Sequence, residues 1–76
     1  MTLKDLRLKK GLTQKQLGEA SGINYRVIQH YEQGSKNLDH ARIDTLLKLC
    51  IILDCRLIDL IQSEDYRKLV LKAKIK

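Results

Sequence analysis

Proline, tryptophan and phenylalanine are all missing from this 76-residue chain, and three tyrosines are its only aromatic residues. Without proline nothing breaks a helix interior, and without large rings the core must be filled by aliphatic side chains. Aromatics make up 4% of a sequence that is 43% apolar, so leucine and isoleucine, with two cysteines, carry the burial. Glycine is scarce too, and its four residues stand far apart. That spacing favours short helices with glycine stops over a disordered or turn-rich β chain.

Other absences narrow the function. No apolar run approaches the roughly 20 residues that span a bilayer, and Met1-Thr2-Leu3-Lys4-Asp5 lacks a signal-peptide apolar region, so a soluble, cytoplasmic protein with no membrane partner is expected. The order His30, His40, Cys50, Cys55 fits no zinc-finger spacing, and the two cysteines are expected to be reduced thiols in an aliphatic core. No metal, cofactor or small-molecule ligand is expected. Scattered histidines and cysteines, with no nucleophile elbow, no phosphate-loop glycine pattern and no room for a cleft, argue against an enzyme. Acidic residues are the minority, nine against fifteen Lys plus Arg, and the formal charge of +6 suits a polyanion. Charge alone leaves nucleic acid and acidic membrane both open. The length allows one domain with one modest core.

The apolar residues that are present recur at helical spacing. Thr2 with Asp5 and Thr13 with Gln16 have capping-box spacing, ahead of Leu3/Leu6 and of Leu17/Ala20, and Gly11 and Gly22 supply left-handed stops. A first helix over Leu3 to Lys10 and a second, two turns long, follow. Asn24 caps a third helix with Ile28 and Tyr31 inward, and Gly34 ends it. Only Ile23 separates Gly22 from that cap, so the second and third helices meet in a tight, steep turn. Ile43, Leu46, Leu47, Cys50 and Leu53 predict an amphipathic fourth helix packed on the first three, and Leu57, Ile58 and Ile61 a short fifth. Gly18 inside the second helix disfavours it by up to about 1 kcal/mol unless close packing requires it, and packing is the expected reason. The fold class is therefore all-α with five helices, over residues 1–61.

Residues 62–76 form a basic tail with two patterns. Ser63-Glu64-Asp65 resembles a helix start, whereas Leu69, Leu71, Ala73 and Ile75 alternate with Val70, Lys72, Lys74 and Lys76 like a strand. The strand is the favoured expectation. A lone strand needs a ladder partner, and the same tail of a second chain would supply one. A disordered basic arm is the competing expectation.

The third helix leaves Arg26, Gln29, His30 and Gln33 on the face opposite its apolar stripe, all able to form hydrogen bonds. Arginine grips guanine O6 and N7, and glutamine adenine N6 and N7, each such pair discriminating by about 1–3 kcal/mol. Tyr25, Arg26, Gln29 and His30 are the candidate base readers. Gln14 opens the second helix, where free amides and the positive dipole end favour a phosphate. Asn24, Ser35, Lys36 and Asn37, just outside the ends of the third helix, are further candidate phosphate ligands. Arg7 and Glu32, opposite in charge and each near an inward face, are expected to tie the first helix to the third.

Leu6-Arg7, the run Gly11-Leu12-Thr13-Gln14-Lys15-Gln16-Leu17, Gly22-Ile23-Asn24, Ile28, Glu32, Gly34 and Thr45-Leu46-Leu47-Lys48-Leu49-Cys50 together resemble the Cro/C1-type (XRE-like) helix-turn-helix family of phage repressors and small bacterial regulators. The resemblance runs from Leu3 to Ile61 and implies a lambda-repressor-like DNA-binding domain. It also implies phosphate contacts at Gln14 and Asn24, base contacts at Tyr25, Arg26, Gln29 and His30, and the Arg7–Glu32 pair. Gly18 stands where the family usually has alanine, the segment from Gly34 to Leu46 is longer than usual, with room for an extra helical turn at Leu38 and Ala41, and the tail has no counterpart.

The function expected is sequence-specific binding of double-stranded DNA by a small transcriptional regulator, a repressor, acting as a homodimer on an inverted repeat. The alternative is an antitoxin or other protein-interaction module whose tail docks through Leu69, Val70, Leu71 and Ile75. The hydrogen-bonding stripe beside a phosphate-binding helix end weighs against that as the sole role.

Overall fold

The computed structural model describes residues 1–75, so Lys76, the end of the expected arm, lies outside the described residues. The chain forms α1 (Leu3–Lys9), α2 (Gln14–Ser21), α3 (Tyr25–Gln33), a 3₁₀ turn (Leu38–His40), α4 (Ile43–Leu53), α5 (Leu57–Leu60) and α6 (Glu64–Lys72). The helix starts follow the capping chemistry. Thr2 and Asp5 cap α1 reciprocally, Thr13 and Gln16 do the same for α2, and the Asn24 side chain accepts from the Arg26 amide at the start of α3. Gly22 (φ 74°) and Gly34 (φ 83°) take the left-handed conformation that ends α2 and α3. Asp54 does the same after α4 at φ 51°, one of the few non-glycine types that tolerate it.

The core is aliphatic as composition required. Leu17, Ile28, Leu49 and Leu60 are its most enclosed large side chains, from α2, α3, α4 and α5. Among the described residues no buried side-chain nitrogen or oxygen lacks a hydrogen-bond partner, and no helix is long and apolar enough to cross a membrane.

Three expectations need correction. On α2 the buried partner of Leu17 is Ser21, whose hydroxyl donates to the Leu17 carbonyl at 2.7 Å, while Ala20 is exposed. On α4 the inward residues are Leu46, Leu49 and Leu53; Ile43 and Leu47, expected inside, are exposed along with Ile51. Apolar residues surround α4 almost completely, so periodicity did not single out one face, and contacts with α2 and α5 chose it.

The third correction is the tail, which forms α6 and not a strand. The Ser63 hydroxyl caps it, and the Asp39 carboxylate accepts from the amides of Gln62 (2.8 Å) and Ser63 (2.7 Å) immediately before it. Arg67 donates to the carbonyls of Ile58 and Ile61, Tyr66 hydroxyl meets His40 Nε2 at 2.9 Å, and Val70 enters the core. A strand would have forfeited these ties. Of the residues that motivated tail docking, Val70 is buried, whereas Leu69, Leu71 and Ile75 are exposed.

Cys50 and Cys55 are free thiols packed against the core. Burial pushes both up, Cys55 to about 12, which leaves them as un-ionised core groups with little nucleophilic character.

Candidate nucleic-acid interface

The site is built on the junction of α2 and α3. Gly18 on α2 lies so close to the turn that a Cβ placed there would sit 2.7 Å from the Ile23 carbonyl oxygen and 3.2 Å from the Tyr25 nitrogen. The expectation that Gly18 is there for packing holds, because its missing side chain is the space through which the chain turns into α3. A larger residue at this position would have to push α2 away from the start of α3.

A buried ion pair fixes α1 against α3. Arg7 Nε donates to Glu32 Oε2 at 2.7 Å and Nη2 to Oε1 at 3.0 Å, with the two side chains only 8% and 4% exposed. The third guanidinium bond goes to the Leu12 carbonyl at 2.8 Å, at the entrance to α2. The carboxylate of Glu32 raises the Arg7 guanidinium above its ordinary value, chiefly by hydrogen bonding. Bidentate pairing of this kind holds orientation as well as charge.

Glu32 has a further partner that the sequence did not suggest. Gln14 Nε2 donates to Glu32 Oε1 at 3.2 Å. One amide proton of Gln14 is thereby committed and the other is left over from that bond, on a residue that opens the first turn of α2, where backbone amides have no acceptor within the helix. The ion pair and the candidate phosphate clamp are one network. Only the 18-residue separation of Gln14 from Glu32 hid this, since helical spacing relates residues within an element and not across two.

On α3, Arg26, His30 and Gln33 are exposed, Tyr25 and Gln29 are half-buried, and Ile28 is enclosed, so the stripe faces outward as its spacing predicts. Lys15 of α2 lies over the Tyr25 ring, its Nζ 5.4 Å from the centroid, a cation–π contact across the turn. The neighbouring Arg26 guanidinium, and after it the charge of Lys15, hold the Tyr25 phenol below its usual range. Three groups suited to an anionic backbone thus gather at the start of α3. Lys15 is a further candidate that sequence reasoning passed over, although it directly follows Gln14 in the first turn of α2.

The remaining candidates are engaged in different ways. Asn24 uses its side-chain oxygen on the Arg26 amide (2.9 Å) and keeps its amide protons for other acceptors. Asn37 likewise caps the 3₁₀ turn through the Asp39 amide at 3.0 Å, and Lys36 is exposed. Ser35 is turned back onto α3, with its hydroxyl 2.8 Å from His30 Nδ1 and 3.3 Å from the His30 carbonyl oxygen.

Two helices joined by a left-handed glycine, the first presenting amides and a polar clamp at its start and the second an exposed hydrogen-bonding stripe, define a helix-turn-helix protein. The chain belongs to the Helix-turn-helix family of the XRE/Cro–C1 type, whose model matches residues 3–60. Its small all-α architecture is consistent with the lambda-repressor-like fold, and the family's domain is a DNA-binding one that serves transcriptional regulators. No curated protein matches the sequence.

Proposed function

We propose that this protein is a transcriptional repressor that binds an inverted-repeat operator as a homodimer, with α3 in the major groove and the start of α2 on the phosphate backbone. The observation that carries this reading is the Gln14–Glu32–Arg7 network, which holds a polar clamp at one helix start in fixed relation to the stripe of the next. In this reading Tyr25, Arg26, Gln29 and His30 face base edges, while Gln14, Asn24, Lys36 and Asn37 hold phosphates. DNA contact falls to residues 1–61, with 62–76 a basic extension, and the protein acts in the cytoplasm.

Selection of bound duplexes from a random pool tests it. An inverted repeat with half-sites about 34–36 Å apart is expected. On that sequence, Lys and Arg side chains neutralising about six phosphates per chain should give a slope of log affinity against log salt near −5. Gln14→Ala should weaken all sequences alike without altering the slope, because a neutral amide displaces no counterion. Sequence-blind binding would refute the regulator reading.

The second copy needs a surface, and the outward ridge of α4 supports one. Ile43, Leu47 and Ile51 are 59%, 46% and 76% exposed and stand four residues apart. Two such ridges interdigitate with helix axes crossing at about −50°. On a two-fold axis at Leu47, Ile43 meets the partner's Ile51. Leu47→Glu should abolish the dimer in sedimentation equilibrium while the separated chain keeps its helical circular dichroism, since Leu47 is exposed in the single chain. A dimer that survives the substitution would exclude this ridge.

A further inference from the structure

His30 and Ser35 share a feature that bears on which base the reader stripe selects. Gly34, in the left-handed conformation, folds the chain back over the end of α3, so that the His30 carbonyl accepts from the Lys36 amide at 3.2 Å and faces the Ser35 hydroxyl at 3.3 Å. The same hydroxyl oxygen lies 2.8 Å from His30 Nδ1. A serine hydroxyl has one proton and must accept at any further contact. If that proton went to Nδ1, two oxygens would face each other at 3.3 Å with no hydrogen between them. If it goes to the carbonyl, Nδ1 must carry a proton of its own and donate to Ser35, and every short contact is then a hydrogen bond.

We infer that Ser35 is a specificity-determining residue that holds the neutral His30 ring in its Nδ1–H form, so that Nε2 meets the major groove as an acceptor and takes the amino group of adenine or cytosine. The inference rests on the proposed role of His30 as a base reader, and it moves Ser35 from the phosphate ligands to the positioning of a reader. A ring with the proton on Nε2 would instead donate, to guanine, to thymine or to N7 of adenine, and could no longer meet the amino group of cytosine. The hydroxyl thus sets the sign of the hydrogen bond that His30 offers, without itself touching DNA. Tautomer choice by the partner of the other ring nitrogen is a general property of histidine.

Two measurements at pH 8, above the ordinary imidazole range, test this on the full chain with Ser35→Ala, Ser35→Thr and His30→Ala. Nitrogen-15 shifts of the His30 ring in the free protein should show protonated Nδ1 in the wild type and in Ser35→Thr, and predominantly protonated Nε2 in Ser35→Ala. Duplex selection should show adenine or cytosine favoured at one position by the wild type and by Ser35→Thr, and guanine or thymine gaining there by roughly two- to tenfold in Ser35→Ala, the worth of one hydrogen bond. The preference at that position should vanish in His30→Ala. A wild-type ring protonated at Nε2 overturns the inference, as does a preference that disappears in His30→Ala but is untouched in Ser35→Ala. If His30→Ala changes no position, the base-reading role of His30 fails and the base-selecting claim with it, and the ring shifts then separate that failure from a wrong tautomer.

Discussion

Glu32→Ala is expected to cost about 3–5 kcal/mol of folding stability, because it leaves the Arg7 guanidinium enclosed without its counter-charge. For a chain of this length the whole stability is roughly 4–11 kcal/mol, so the variant should melt roughly 15–30 °C lower or fail to fold at 37 °C. An exposed pair would give roughly 0–1 kcal/mol, and the side-chain exposures of 8% and 4% place this one in the other regime. The double variant Arg7→Met, Glu32→Leu separates stability from function. Replacing both charges with apolar groups is often neutral, but the Leu12 carbonyl would lose its donor, an unmet acceptor worth about 1–3 kcal/mol. The double variant should therefore recover much, though not all, of the loss. DNA affinity should not recover with it, since Gln14 would no longer be held by Glu32. Circular-dichroism melts and titrations on one duplex check both parts. A double variant that binds as tightly as the wild type would show that the network serves folding alone.

Local chemistry made the first three helices and their junction legible. Thr2, Thr13 and Asn24 cap through contacts spanning two or three residues, and Gly22 and Gly34 stop helices by backbone conformation, so these signals act within a single turn of chain. The Arg7–Glu32 pair, although 25 residues apart, was also legible, because two opposite charges on inward faces have few alternatives but each other.

What escaped notice depended on contacts between elements. Leu69 to Ile75 alternate like a strand, yet the tail is helical because Asp39, 23 residues earlier, caps the chain at Gln62 and Arg67 finds two free carbonyls at α5. A single inward residue, Val70, suffices for its packing, too weak a periodic signal to outvote the alternation. In α4 the opposite held: with apolar side chains nearly all round, the sequence offered several faces, and Leu49 became the enclosed residue only through its neighbours. In the site, the stripe on α3 followed from spacing, whereas the hold of Glu32 on Gln14 and of Ser35 on His30 required atoms in place.

Gly18→Val should be the most damaging single change at the helix junction. Even alanine at this position puts its Cβ 2.7 Å from the Ile23 carbonyl oxygen, with the Tyr25 nitrogen and Cα at 3.2 and 3.3 Å. All three neighbours are backbone atoms, which cannot swing aside as the end of a long side chain would. Two effects then compete. Alanine in a helix interior gains about 1 kcal/mol relative to glycine, while overpacking costs about 1–3 kcal/mol. For alanine the two nearly offset and the net loss should be about 1 kcal/mol. Valine gains less helix propensity because its χ1 is restricted, and it adds two methyl groups to the same gap, so its loss should reach about 3 kcal/mol. The strain falls on the turn that aims α3, so both variants should lose DNA affinity in conditions where they remain folded, with Val far weaker than Ala. Denaturant unfolding and duplex titration at one salt concentration measure the two losses side by side. A Gly18→Val protein as stable as the wild type would mean that the turn has room to open, and that the close approach of α2 to Ile23 does not set the angle of the reading helix.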